Sequence, residues 1–348
     1  MQDYPESWQL PGAALSKSPI PRPHAAACAA SLALALVFLT PSTRGQDTQA
    51  PPQGPTFESE VSVGYVYVPV VVRSPDGYVT DLERGDFRLQ VDGRPAAIET
   101  FETGDTAPIN LVFLQDLSGS MANSGKLDHS REAVDYFLRQ ARTGDEFSLA
   151  WFAGDLFEID VPFTSEVEVA REAMAAWEAY GTTALQDAVA RLPQITVGRG
   201  GVKRAALLIT DGIDNASTIP PEQARTLVRQ AELPVYVLGF DSGSAYERRE
   251  AGGKIYRFAD TLNLLASLTG GRYYPLSGAS ELQAACAAIL EDLRHQYVLG
   301  FSTGGAGPAR DHRLRVEVAG RGKRVLSFRR SYHGTAPAAA PAATSGGR

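Results

Sequence analysis

The chain has 348 residues, 44% of them hydrophobic, enough to bury one large core or two modest ones. A formal charge of −7 excludes nucleic acid as the main partner, because phosphate binding needs a basic face. Only Cys28 and Cys286 are present, so no disulfide framework or cysteine-based zinc site is expected.

Residues 1–45 read as a targeting segment, since Ala25 to Leu39 is a short apolar run following Lys17 and Arg22. The run is short for a membrane span. Thr43 and Gly45 suit cleavage near Gln46, and an uncleaved signal anchor is the alternative. Cys28 precedes the apolar run and is wrongly placed for a lipid acceptor. Export to the periplasm, the cell surface or the medium is expected, with membrane contact only through this segment if it is retained. Residues 46–56, rich in Pro and Gln, read as a linker.

Residues 57–105 carry a strand pattern. Val61, Val63, Tyr65 and Tyr67 alternate, and the β-branched run Val66 to Val72 ends near the turn-like Ser74-Pro75-Asp76-Gly77. Phe87, Leu89 and Val91 alternate before Asp92-Gly93, a hairpin signal with a return through Ile98 and Phe101.

From 106 to 294 strands and helices alternate, the pattern of a doubly wound, mainly parallel α/β sheet. Strands are predicted at Ile109 to Gln115, Phe147 to Phe152, Phe157 to Val161, Ala205 to Thr210, Val235 to Phe240 and Arg272 to Pro275. Helices are predicted near Lys126 to Ala141, Val167 to Ala179, Ala184 to Leu192, Pro221 to Ala231, Thr261 to Leu268 and Ala279 to Arg294. Cys286, inside the last of these, reads as a small buried hydrophobe.

Alternation resumes over 295–333, at Tyr297 to Phe301, Leu314 to Val318 and Val325 to Phe328. Neither β end has enough strands to stand alone. Residues 57–105 and 295–333 are therefore expected to form one all-β sandwich with the α/β unit inserted between them. Arg321, Lys323, Arg324, Arg329 and Arg330 read as a solvated strand and turn face. Residues 334–348, nearly all Ala, Pro, Gly and Ser, are expected to be disordered.

Chemistry concentrates at Asp116-Leu117-Ser118-Gly119-Ser120, directly after the first buried strand of the α/β unit. One carboxylate and two hydroxyls suit a hard divalent cation that takes oxygen ligands and keeps several waters. Gly181-Thr182-Thr183 opens a helical stretch, and Thr210-Asp211-Gly212 ends a second buried strand, each placing a further oxygen at an element end. In order and context these segments resemble the von Willebrand factor type A (vWA) family, whose metal-ion-dependent adhesion site (MIDAS) is D-x-S-x-S, then Thr, then Asp. The resemblance spans about residues 106 to 294, and Asp86-Phe87-Arg88-Leu89-Gln90-Val91-Asp92-Gly93 is similar to a β segment preceding this domain in bacterial exported VWFA-related proteins.

The resemblance implies a Mg2+ site, with Mn2+ or Ca2+ as alternatives. It implies direct contact from Ser118 and Ser120, water-bridged roles for Asp116 and Asp211, and a state-dependent role for Thr183. It further implies a protein-binding, adhesion-type module that takes an Asp or Glu of a partner onto the metal. The alternative is a structural component of an envelope or secretion assembly whose metal stabilises the fold. Asp214 reads as a turn residue or an outer acceptor, Asp187 as a hydrogen-bonding group near a helix start, and Asp241 to Ala259 as a long loop forming a specificity rim. Catalysis is not expected: no G-x-S-x-G elbow encloses either serine, and Leu127 follows Lys126 where a phosphate loop needs Ser or Thr.

Overall fold

A computed structural model describes residues 65–104, 107–196, 203–212, 214–230, 233–240, 247–249, 255–303 and 310–334. The leader, the linker and the tail from 335 onward lie outside the described residues, as do Val61 and Val63.

The first β segment comprises β1 (Tyr65–Ser74), β2 (Gly77–Tyr78), β3 (Phe87–Val91), β4 (Arg94–Ala96) and β5 (Thr100–Glu102). The α/β unit follows with β6 (Ile109–Asp116), α1 (Lys126–Arg139), β7 (Glu146–Ala153), β8 (Leu156–Thr164), α2 (Val167–Ala175), α3 (Leu185–Ala190), α4 (Leu192–Thr196) and β9 (Lys203–Thr210). It continues through α5 (Pro221–Gln230), β10 (Val235–Phe240), β11 (Glu247–Arg249), β12 (Ile255–Arg257), α6 (Phe258–Thr269), β13 (Tyr273–Leu276) and α7 (Ala279–Arg294). The chain then returns to β structure as β14 (Tyr297–Ser302), β15 (Asp311–Val318), β16 (Arg324–Phe328) and β17 (Ser331–His333).

The two β ends interleave. One sheet runs β16-β1-β14-β5 with β2 beside β1, and the facing sheet runs β17-β15-β3-β4. Their shared core draws Val66, Val68, Val70, Val72, Phe87 and Leu89 from the first segment and Tyr297, Leu299, Phe301, Leu314 and Val316 from the second. In β1 the even-numbered valines face this core, and Tyr65 and Tyr67 stand half-buried on the opposite side. The hairpin at Asp92-Gly93 forms as expected, with φ of 50° and 79°, the left-handed pair that matches strand twist. Its return departs from expectation: β4 ends at Ala96, and Phe101 lies on β5, which crosses to the other sheet and pairs with β14. Arg329 also departs from expectation. It is buried, and its guanidinium donates to the carbonyls of Ser331 and Arg229, so it ties the sandwich to α5 instead of facing water.

The central sheet runs β13-β10-β9-β6-β7-β8, with every neighbouring pair parallel except β7 and β8. Strand β6 is buried along its whole length because both faces are covered: Ile109, Leu111 and Phe113 enter one core, and Val112 and Leu114 enter the other. Helix α1 buries Val134, Phe137 and Leu138, the expected face. The expected helix over Val167 to Ala179 stops at Ala175, and that over Ala184 to Leu192 is split into α3 and α4. Part of the expected rim loop pairs as the β11–β12 hairpin, and Ala259 belongs to α6. Tyr246 and Lys254 lie outside the described residues.

Close packing where α6 turns into β13 leaves no room at Gly271, whose added Cβ would stand 2.1 Å from the Val235 carbonyl oxygen. Since that neighbour is backbone, Gly271→Ala is expected to cost about 2–3 kcal/mol, read as a lowered urea midpoint.

Candidate functional site

The chain leaves β6 towards β7 on one side and later returns to β9 on the other side, so the loops after β6 and β9 diverge at a switch point. In open α/β sheets ligands bind at such crevices outside the carboxyl ends of the strands. Asp116 ends β6 and Asp211 follows β9, placing the two carboxylates at this edge.

The Asp116 side chain is buried and fully engaged. One carboxylate oxygen accepts the Ser118 backbone N–H at 2.8 Å, and the other accepts the Thr210 hydroxyl at 2.6 Å. The same Thr210 oxygen accepts the Gly212 N–H at 3.0 Å, so one hydroxyl links both loops. Ser118 and Ser120 bring their hydroxyl oxygens to 3.2 Å, with Ser118 buried and Ser120 half-buried. Burial, helped by the nearby Asp211 charge, pushes the Asp116 carboxyl up to about 6 against the pull of its hydrogen bonds. A carboxylate held this way is favoured by a compensating cation.

Thr183 arrives by a separate route. The Gly119 N–H donates to the Gly181 carbonyl at 3.0 Å, an approach that a Cβ on Gly119 would bring to 3.2 Å of that oxygen. The Thr183 N–H donates to the Asn215 side chain at 2.8 Å, and the Thr183 carbonyl accepts the N–H groups of Asn215 and Ala216 at 3.0 Å each. Thr183 is thus fixed to the loop that carries Asp211, and it is buried.

Asp211 accepts from the Lys126 ammonium at 2.9 Å through Oδ2, and its buried Oδ1 has no hydrogen-bond partner. Among the described residues no group of three or more His, Cys, Asp and Glu side chains gathers as a metal site. A cation at this edge would rest on two carboxylates and three hydroxyls. That all-oxygen set, with one buried acceptor lacking a donor, fits a hard divalent ion.

The outer carboxylates are occupied. Asp214 accepts the Gln186 N–H at 3.0 Å and the Ser217 hydroxyl at 2.8 Å, so it combines turn and helix-start duties. Asp187 accepts the N–H groups of Thr218 and Ile219. A cleft of about 380 Å³ opens beside Gly212, with Ile219, Phe258 and Arg225 in its wall. Sequence reasoning missed three contributors, Thr210, Asn215 and Lys126. Lys126 carried a signal of its own: it begins a helix, where the dipole disfavours positive charge.

These features define a doubly wound α/β domain with an oxygen-lined loop cluster at its switch point. Residues 111–213 match the model of the von Willebrand factor type A domain, and the chain carries a domain of that family. An uncharacterized protein of Borreliella burgdorferi is 24% identical over 197 residues, covering 52% of this chain and 57% of its own length. The uncharacterized protein YfbK of Escherichia coli is 28% identical over 169 residues, covering 44% of this chain and 29% of its own. The chain thus spans less than two thirds of either curated relative. The solved von Willebrand factor type A structure from Catenulispora acidiphila is 14% identical, with a TM-score of 0.45, covering 72% of this chain and 74% of its own.

Proposed function

We propose that this protein is an exported binding module in which Asp116, Ser118, Ser120, Thr183 and Asp211 hold Mg2+, with Mn2+ or Ca2+ as substitutes, and that the ion captures an Asp or Glu side chain of a protein partner. The observation that carries this reading is the buried Asp116 carboxylate beside two hydroxyls 3.2 Å apart, with Ser120 half-buried at the margin. Two carboxylates balance the charge of such an ion without filling its coordination shell, and neutral hydroxyls and waters are weak enough ligands that a carboxylate from another molecule is a suitable further ligand.

The cleft beside Gly212 offers apolar contact from Ile219 and Phe258 to the flank of a bound segment, while Arg225 in its wall is paired with Glu222 at 2.5 Å. Binding is favoured over catalysis because neither serine has a neighbouring histidine base in the chain, and the hydroxyls bond to each other instead. Export rests on the apolar run from Ala25 to Leu39. No helix among the described residues is long and apolar enough to cross a membrane.

Titration of an acidic peptide into the protein tests the reading. Heat of binding is expected with Mg2+ and none with EDTA. Equal binding in both buffers overturns it. If an Asp116→Ala variant loses thermal stability yet still binds the peptide, the cation is structural, and the sandwich of an envelope assembly becomes the better account.

A further inference from the structure

Lys126 is the first residue of α1, and its ammonium lies 2.9 Å from a buried oxygen of Asp211. The position is unfavourable in two ways. A positive charge at a helix start opposes the helix dipole, and the lysine side chain is only 10% exposed, so its charge is largely removed from water. The chain also turns sharply to deliver it, since Ser124 and Gly125 both adopt left-handed conformations, with φ of 57° and 69°. Ser124 is one of two non-glycine residues with positive φ among those described. Local preferences broken together at one point mark a residue held for a charge it must meet.

We propose that Lys126 is a built-in counter-ion: it neutralises Asp211 when no divalent ion is bound, and when one is bound it shares Asp211 with it and leaves the site one positive charge in excess. The proposal rests on the cation reading above. Two carboxylates balance a divalent ion, and the lysine adds the charge that draws an anionic partner. The domain can then fold without metal, at the expense of some metal affinity, and its preference for an acidic ligand is built into the protein as well as into the ion. Asp211 Oδ1, buried and without a donor, remains open to the ion while Oδ2 is held by the lysine.

A double-mutant cycle tests this with Lys126→Met, Asp211→Asn and the two combined. In EDTA, Lys126→Met leaves an unpaired buried carboxylate and is expected to lower the melting midpoint by about 10 °C. The combined variant is expected to recover most of that loss. A combined variant as unstable as Lys126→Met overturns the charge pairing and assigns the lysine to packing. With Mg2+ alone as titrant, Lys126→Met is expected to take up the ion about tenfold more tightly than wild type, because Asp211 is no longer shared. Unchanged or weaker uptake overturns the sharing. If the wild type takes up no Mg2+ at all, the cation reading fails, whereas the EDTA measurements still decide the counter-ion on their own. Should Lys126→Met fail to fold in either buffer, the combined variant decides alone: recovery supports the pairing and no recovery overturns it.

Discussion

Replacing Ser118 and Ser120 together by alanine is expected to weaken Mg2+ uptake by at least about a hundredfold with the fold retained, because loss of even an outer-shell contact costs 10–100-fold at metal sites. The two hydroxyls carry no charge, so their removal leaves the balance among Asp116, Asp211 and Lys126 unchanged. Asp116 loses the support of the Ser118 hydroxyl but keeps its backbone bond from Ser118 and its bond from Thr210. Calorimetry with Mg2+ reads the loss, and a melting midpoint within a few degrees of wild type, about 1 kcal/mol or less, shows that the fold survived. Undiminished uptake would place the ion away from this loop.

The largest loss of stability is expected far from that site. Arg294, at the end of α7, donates to both oxygens of Asp145, at 3.0 and 2.5 Å, and its partner also accepts the backbone N–H groups of Ile109 and Arg142 at 2.8 Å each. Both side chains are almost wholly buried, at 6% and 1% exposure. Arg294→Met would strand the carboxylate and is expected to cost about 3–5 kcal/mol in urea denaturation. Burial alone would raise the Asp145 carboxyl, but the bond from Arg294 and those from the backbone outweigh it and hold the group below its ordinary range. The sign follows from this depressed value. Asp145 contributes its stability fully above the ordinary aspartate pKa of about 3.9, and the contribution fades as pH falls from there through the folded value. In Arg294→Met the raised carboxyl should instead lose its charge at higher pH. An unchanged acid-unfolding profile would contradict the pairing.

Much of this arrangement was legible in the sequence, for reasons specific to each element. The strand leading to Asp116 could be read because a doubly covered strand is apolar throughout, and the sandwich because two β-rich ends each lacked strands to close. The placement of Asp116 at the end of β6 and of Asp211 just after β9 could be read from the apolar runs before them, whereas grouping them with Ser118, Ser120 and Thr183 rested on the family resemblance. Less was legible where meaning depends on distant partners. Lys126 pairs across 85 positions, and Arg329 meets Arg229 across 100, so neither pattern of neighbours reveals the bond. Strand β17 is only three residues long, and β5 changes sheets after a short link, so neither leaves a usable period.

The junction between the sandwich and the inserted domain has a mechanical consequence. Buried Lys203 donates to the carbonyls of Gly104, where the chain enters the inserted domain, and of Leu293 and Arg294, where it leaves. Just beyond, β5 and β14 lie side by side. Tension that enters through β1 and leaves through β17 is therefore carried by the sandwich strands, where β1 pairs antiparallel with β16 just before β17, and bypasses the domain hanging from the paired stems. The loops around Asp116 would keep their geometry under a pull that had already begun to strain the sandwich.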